Sequence, residues 1–188
     1  MIRSFLAIEL PEVILKRVEE IQEDLRSSGA DVRWVNVKKI HLTLKFLGNI
    51  EESQIDPIVK AIEGPIRSTP SFLLTVRGTG AFPHLRNPRV VWMGLFDESG
   101  RLSSLQKQLE SVLEKLGFQP ENRPFQPHLT LGRVNSSRGK EALAEGIETY
   151  KEEEIGGFEV EKVIFFKSDL RPFGPIYTLL KDVKLSQK

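Results

Sequence analysis

The sequence predicts an α+β fold made of a duplicated unit. Three observations carry that expectation. Strand-like and helix-like segments alternate along the whole chain. The segment Phe5–Leu10 (FLAIEL) resembles Val91–Phe96 (VWMGLF), 86 positions later, and each is followed by an amphipathic stretch ending at glycine, Gly29 and Gly117. Each half then reaches the tetrapeptide His-Leu-Thr-Leu, at 41–44 and 128–131, 87 positions apart. Matching order and offset define an internal repeat, roughly 1–83 and 88–181, within one domain of residues 1–188. No Pro/Gly/Ser-rich linker parts the halves, so they are expected to share a core about a pseudo-two-fold axis.

The elements read as follows. Arg3–Glu9 is a strand. Pro11 opens a helix carrying Val13, Ile14, Val18, Ile21 and Leu25 at helical spacing, and Gly29 closes it. Val32–Val35 and Ile40–Leu47 are strands. Glu51–Ile62 is helical, with Pro57 marking a late start or a kink. Ser71–Val76 is a strand, followed by a loop from Gly78 to Pro83. Arg89–Phe96 is a strand, Leu102–Leu116 a helix, Pro127–Val134 a strand and Arg138–Glu148 a helix. Phe158–Phe166 and Tyr177–Lys181 complete the strands.

Composition narrows the chemistry. The 188 residues include no cysteine, which removes disulfides, thiolate nucleophiles and cysteine-ligated zinc. The apolar run after Ser4 ends at Glu9, too short for a signal-peptide core, and no stretch approaches a membrane span; a cytoplasmic protein without membrane partners is expected. With 27 basic and 26 acidic residues the net charge is +1. Proteins that track long nucleic acids carry a larger basic excess, so any contact with nucleic acid should be local, as at a chain end.

In a strand, residues i and i+2 share a face. His41 and Thr43 therefore project together, with Lys45 a candidate beside them, and His128 projects with Thr130. Leu42, Leu44, Leu129 and Leu131 face the core. Two such strands meeting at one cleft would present two imidazoles and two hydroxyls. Cleaving a phosphodiester needs one group to take a proton from the attacking oxygen and another to give one to the leaving oxygen. Two histidines do both near neutral pH, and threonine hydroxyls and cations stabilise the phosphoryl oxygens. A single H-x-T strand is commonly only a polar sheet face. Two identical segments at equivalent positions, using two of three histidines in the chain, favour the catalytic reading.

These motifs resemble those of the two-histidine phosphoesterases, and among them the RNA 2′,3′-cyclic phosphodiesterase family, also called 2′-5′ RNA ligases. The resemblance runs through Arg3-x-Phe5-x-Ala7-Ile8, Arg33-Trp34-Val35, His41 to Gly48, Gly80-x-Phe82-Pro83, Pro88-Arg89-Val90-x-Trp92, His128 to Arg133, Ser168-x-Leu170 and Gly174-Pro175-x-Tyr177. It implies a bilobal fold with an antiparallel sheet in each lobe, helices outside and a central cleft. It also implies that His41 is the proton donor and His128 the proton acceptor in opening RNA 2′,3′-cyclic phosphates, with no metal or other cofactor. Expected partners are RNA ends such as transfer-RNA fragments, or small cyclic nucleotides, acted on by a monomer. Thr43 and Thr130 are expected to bind substrate. Arg133 should contact phosphate, although strict alternation puts it opposite His128, so a bulge or strand end is required. Phe82, or His84 in the same loop, is a candidate base-stacking residue. Trp34 and Trp92 read as core, and Gly78-Thr-Gly80 lacks the spacing of a phosphate-cradling loop.

Three competing readings use the same residues. A ribose hydroxyl replacing water would make the protein a 2′-5′ RNA ligase. A non-catalytic RNA-end binder would use the cleft for recognition only. A histidine metal site lacks a nearby carboxylate or thiolate to complete a usual ligand set.

Overall fold

The computed structural model describes residues 1–187. Nine strands and four α-helices follow the chain order β1 (Ile2–Glu9), α1 (Glu12–Arg26), β2 (Val32–Trp34), β3 (His41–Ile50), α2 (Ile55–Ser68), β4 (Phe72–Phe82), β5 (Val90–Phe96), α3 (Arg101–Glu114), β6 (His128–Val134), α4 (Lys140–Thr149), β7 (Glu154–Val160), β8 (Lys162–Asp169) and β9 (Ile176–Lys184). Each helix buries one stripe. In α1 it is Ile14, Val18, Ile21 and Leu25; in α3 it is Leu102, Leu105, Leu109 and Leu113. Spacings of three and four put these side chains on one face, which packs on the sheet. The same core takes Leu42, Leu44, Leu129 and Leu131 from the opposing sheet face.

Where one sheet per lobe is expected, the strands form one sheet, ordered β7-β4-β5-β6-β3-β1-β8-β9, with β2 added beside β6. All its strand pairs are antiparallel. The junction is narrow: β3 and β6 pair only at Leu42↔Leu129. On either side of it lie two four-strand sets. β4, from the first half of the sequence, joins β5, while β8, from the second half, joins β1. Strands thus cross between the sets.

Several boundaries differ from the sequence reading for identifiable reasons. The expected loop at Gly78–Pro83 is largely strand, because β4 continues to Phe82 past a register shift at Gly78, whose φ is +75°. A positive φ there is a glycine bulge, which bends a strand without ending it. The expected single strand Phe158–Phe166 is two, β7 and β8, at distant positions in the sheet. The apolar alternation at Phe158 and Val160 shifts phase at the polar pair Glu161-Lys162, with no glycine or proline to mark a turn. Helix α2 runs on to Ser68, and Pro57 falls in its first turn, where its missing N–H costs no hydrogen bond.

The alignment of the first strands also shifts. Glu9 pairs with His41 and Gly94 with His128, so β5 follows β1 at an offset of 85, not 86. At 85, buried Leu6 matches buried Val91 and Ile8 matches Met93. A slip of one residue would put them on opposite faces.

Candidate active site

Paired residues of an antiparallel ladder point to the same face. Leu42 and Leu129 are paired and point into the core, at 1% and 0% exposure. His41, Thr43, His128 and Thr130 therefore share the other face, and all four are half-buried. The register sets His41 across from Thr130 and Thr43 across from His128. Diagonal positions of such a pair lie about 7–8 Å apart, which leaves room for a phosphate between the two rings.

Each ring is held the same way. His41 Nδ1 lies 2.8 Å from the Lys39 carbonyl oxygen, and His128 Nδ1 lies 2.7 Å from the Gln126 carbonyl oxygen. A carbonyl only accepts, so each Nδ1 carries the proton and donates. Each Nε2 is then the exchangeable position, a base when the ring is neutral and an acid when it is charged. The third histidine has the opposite arrangement: His84 Nδ1 accepts from the Asn87 N–H at 3.2 Å, which leaves its proton on Nε2 in the neutral ring. His84 lines a separate open depression with Leu85 and Arg86 at the β4–β5 turn.

Two bulges decide which cations and aromatics reach this face. In β6, Trp92 pairs with Thr130 and Val91 with Gly132, so Leu131 is an extra residue. The bulge reverses the alternation and turns exposed Arg133 onto the His128 face, as a phosphate contact would require. In β3, Ala7 pairs with Thr43 and Leu6 with Lys45, so Leu44 is extra. This bulge removes Lys45 from the histidine face. Its ammonium is buried, donating to Glu110 Oε2 and to the Gln119 carbonyl, each at 2.6 Å. Phe46 takes the position that Arg133 holds in the other half, and is 63% exposed.

Aromatic rings wall both histidines. Phe5 stacks on His41 at 4.9 Å between centroids, and Tyr177 meets it edge-on at 5.3 Å. Phe82 meets His128 edge-on at 5.0 Å and leans on Trp92 at 5.2 Å. Trp92 is thus at the site face and not in the core, its ring lying over Gly80, where a Cβ would come within 2.3 Å of it. Trp34 packs against the core as expected. Burial pushes the His41 pKa down, opposed by the hydrogen bond to Lys39. Burial pushes the Tyr177 hydroxyl up, while the charges of Arg3 and Arg133 pull it down. Those two guanidiniums are therefore both close enough to Tyr177 to be felt. Arg3, Phe5 and Tyr177 belong to the site face, although sequence reasoning gave them no role. The i, i+2 spacing of Arg3, Phe5 and Ala7 was a usable signal; Tyr177 depends on the β8–β9 pairing, which has no local signature.

A cavity of about 540 Å³ adjoins His41, walled by Glu9, Lys38, Phe166, Ile176 and Tyr177 among others. Among the described residues no three His, Cys, Asp or Glu side chains gather as a metal site, and no helix is long and apolar enough to cross a membrane.

Residues 10–171 match the model of the 2′-5′ RNA ligase superfamily. An RNA 2′,3′-cyclic phosphodiesterase of Methanothermobacter thermautotrophicus is 38% identical over 184 residues, covering 98% of this chain and 99% of its own. One from Thermotoga maritima is 37% identical over 179 residues, covering 95% and 92%. The solved structure of TT0787 from Thermus thermophilus superposes with a TM-score of 0.82 at 28% identity, covering 99% of both chains. E. coli LigT complexed with 3′-AMP superposes at 0.73 and 28% identity, again covering 99% of both. The chain belongs to the 2′-5′ RNA ligase superfamily, within its RNA 2′,3′-cyclic phosphodiesterase family.

Proposed function

We propose that the protein opens 2′,3′-cyclic phosphates at RNA ends, leaving a 2′-phosphate and a free 3′-hydroxyl. The observation that carries this reading is the matched pair of imidazoles, each with Nδ1 tied to a backbone carbonyl and Nε2 left for proton transfer. His128, neutral, takes a proton from water as the water oxygen bonds to phosphorus. The bond from phosphorus to the 3′-oxygen breaks, and His41, charged, protonates that oxygen. Thr43 and Thr130 donate to the phosphoryl oxygens, and Arg133 balances their charge. Burial disfavours the charged His41 that this role needs, and the negative phosphate, once bound, restores it.

The two strand sets act as two lobes of one domain, each built from strands of both repeats, with the substrate between them. A monomer in the cytoplasm suffices for this chemistry, since both histidines come from one chain. The superfamily's name favours a second reaction at the same atoms: a 5′-hydroxyl end replacing water would form a 2′-5′ linkage. The test is an oligonucleotide ending in a 2′,3′-cyclic phosphate, incubated with the protein and a chelator. A 2′-phosphate product is expected. A 3′-phosphate would show the leaving oxygen misassigned, and no turnover would leave a binder of RNA ends.

A further inference from the structure

We propose that the cavity beside His41 is a base-recognition pocket selecting guanine as the terminal base. This rests on the cyclic-phosphate reading above. In that reaction His41 protonates the 3′-oxygen, which belongs to the same ribose as the base. The terminal nucleoside therefore lies on the His41 side of the phosphate, away from Phe82, which stands against His128. The space on the His41 side is the cavity of about 540 Å³, within the range that holds small ligands.

Its walls suit a planar, polar ring. Phe166, Ile176 and Tyr177 offer apolar surface. Glu9 pairs with His41 across β1 and β3, so its carboxylate is on the histidine face. Glu12 is already within 3.8 Å of Lys16, and the Lys39 ammonium donates to the Pro175 carbonyl at 2.5 Å. The side chains of Glu9 and Lys38 have no such partner among the described residues. A carboxylate is an acceptor with two oxygens, and an ammonium is a donor. Together they match an edge with two adjacent N–H donors followed by a carbonyl. Guanine has that edge. Uracil has one N–H between two carbonyls, which would face the carboxylate unfavourably. Adenine and cytosine offer only an amino group there, each beside an unprotonated ring nitrogen.

The experiment compares kcat/KM for the four nucleoside 2′,3′-cyclic monophosphates, with the full chain and with Glu9→Ala. One or two charge-assisted hydrogen bonds should favour the guanosine substrate over the uridine one by roughly 10- to 100-fold. That ratio should fall toward one in Glu9→Ala. Equal turnover of all four, preference for another base, or a guanosine preference unchanged in Glu9→Ala would overturn the pocket and leave the cyclic phosphodiesterase reading intact. Failure to turn over any of the four, when an oligonucleotide cyclic phosphate is opened, would equally overturn it. Loss of both substrates would instead remove the underlying reading.

Discussion

The two halves carry the same tetrapeptide and give it different surroundings. His41 is enclosed by Phe5 and Tyr177 and adjoins a cavity, while His128 meets one ring, Phe82. One position beyond each motif the bulge buries a different residue. In β3 it buries Lys45, which ties α3 and the segment at Gln119 to the sheet. In β6 it buries Gly132, where a Cβ would come within 2.6 Å of Val32 Cγ1 and 3.0 Å of Trp34. Glycine there lets β2 lie alongside β6. The next residue reaches the site face as Phe46 in one half and Arg133 in the other. A shared backbone device thus brings an apolar residue to the site face in one half and a cation in the other. What the comparison teaches is that equal histidines become unequal through their neighbours.

The strongest test of the pair is removal of each histidine. His41→Ala and His128→Ala should each lower kcat by about 10²- to 10⁴-fold with folding intact. If both act on one transition state, the double variant should lose less than the product of the single losses. Steady-state rates on a cyclic-phosphate oligonucleotide, with circular dichroism as the folding control, measure this. Near-normal turnover in either single variant would remove that histidine from the mechanism.

Local alternation in HLTL was enough to place four side chains on one face, because a strand's period of two is set by the backbone. Arg133 and Lys45 were not legible in the same way. Each sits past a bulge, and a bulge arises from pairing with a distant strand, which neither motif encodes. The same holds for the halves of the sheet. That β4 joins β5 while β8 joins β1 follows from long-range pairing, and the passage from β7 to β8 is marked only by a one-residue phase shift at Glu161-Lys162, without glycine or proline. The bulk of Trp92 reads as core in the sequence because nothing local shows that Gly80 opens space for its ring at the site face. The His84 tautomer depends on the turn geometry at Asn87 and has no trace in composition.

The second test exploits the buried cation peculiar to the His41 half. Lys45 and Glu110 side chains are 6% and 16% exposed, and Gln106 also donates to Glu110 at 3.1 Å. Breaking a buried pair strands a charge and costs roughly 3–5 kcal/mol. Lys45→Met should lose about 3 kcal/mol of that in urea unfolding, since Gln106 still serves the carboxylate. Replacing both partners, Lys45→Met with Glu110→Met, should lose less than Lys45→Met alone. If Lys45→Met unfolds at the wild-type midpoint with the same slope, the pair does not hold α3 to the sheet.

The subtlest expected effect is a pH shift that reports the burial of His41. Burial holds His41 below the ordinary histidine value of about 6.5, because the imidazolium loses hydration against Phe5 and Tyr177. The profile of kcat/KM follows the free enzyme, and that of kcat follows the bound complex. A proton donor at His41 must be charged while His128 is neutral, and the two limbs of either profile belong to the pair and not to one ring. A lowered His41 pKa leaves a small share of the free enzyme in that state, and the bound phosphate, by favouring the charged ring, enlarges it in the complex. Tyr177→Ala admits water to His41 and should move its titration upward, carrying one limb of the kcat/KM profile with it. Profiles of wild type and Tyr177→Ala, together with an NMR titration of the His41 ring in both, measure that shift. If the ring titrates at the ordinary value and neither limb moves, burial is not what distinguishes the two halves.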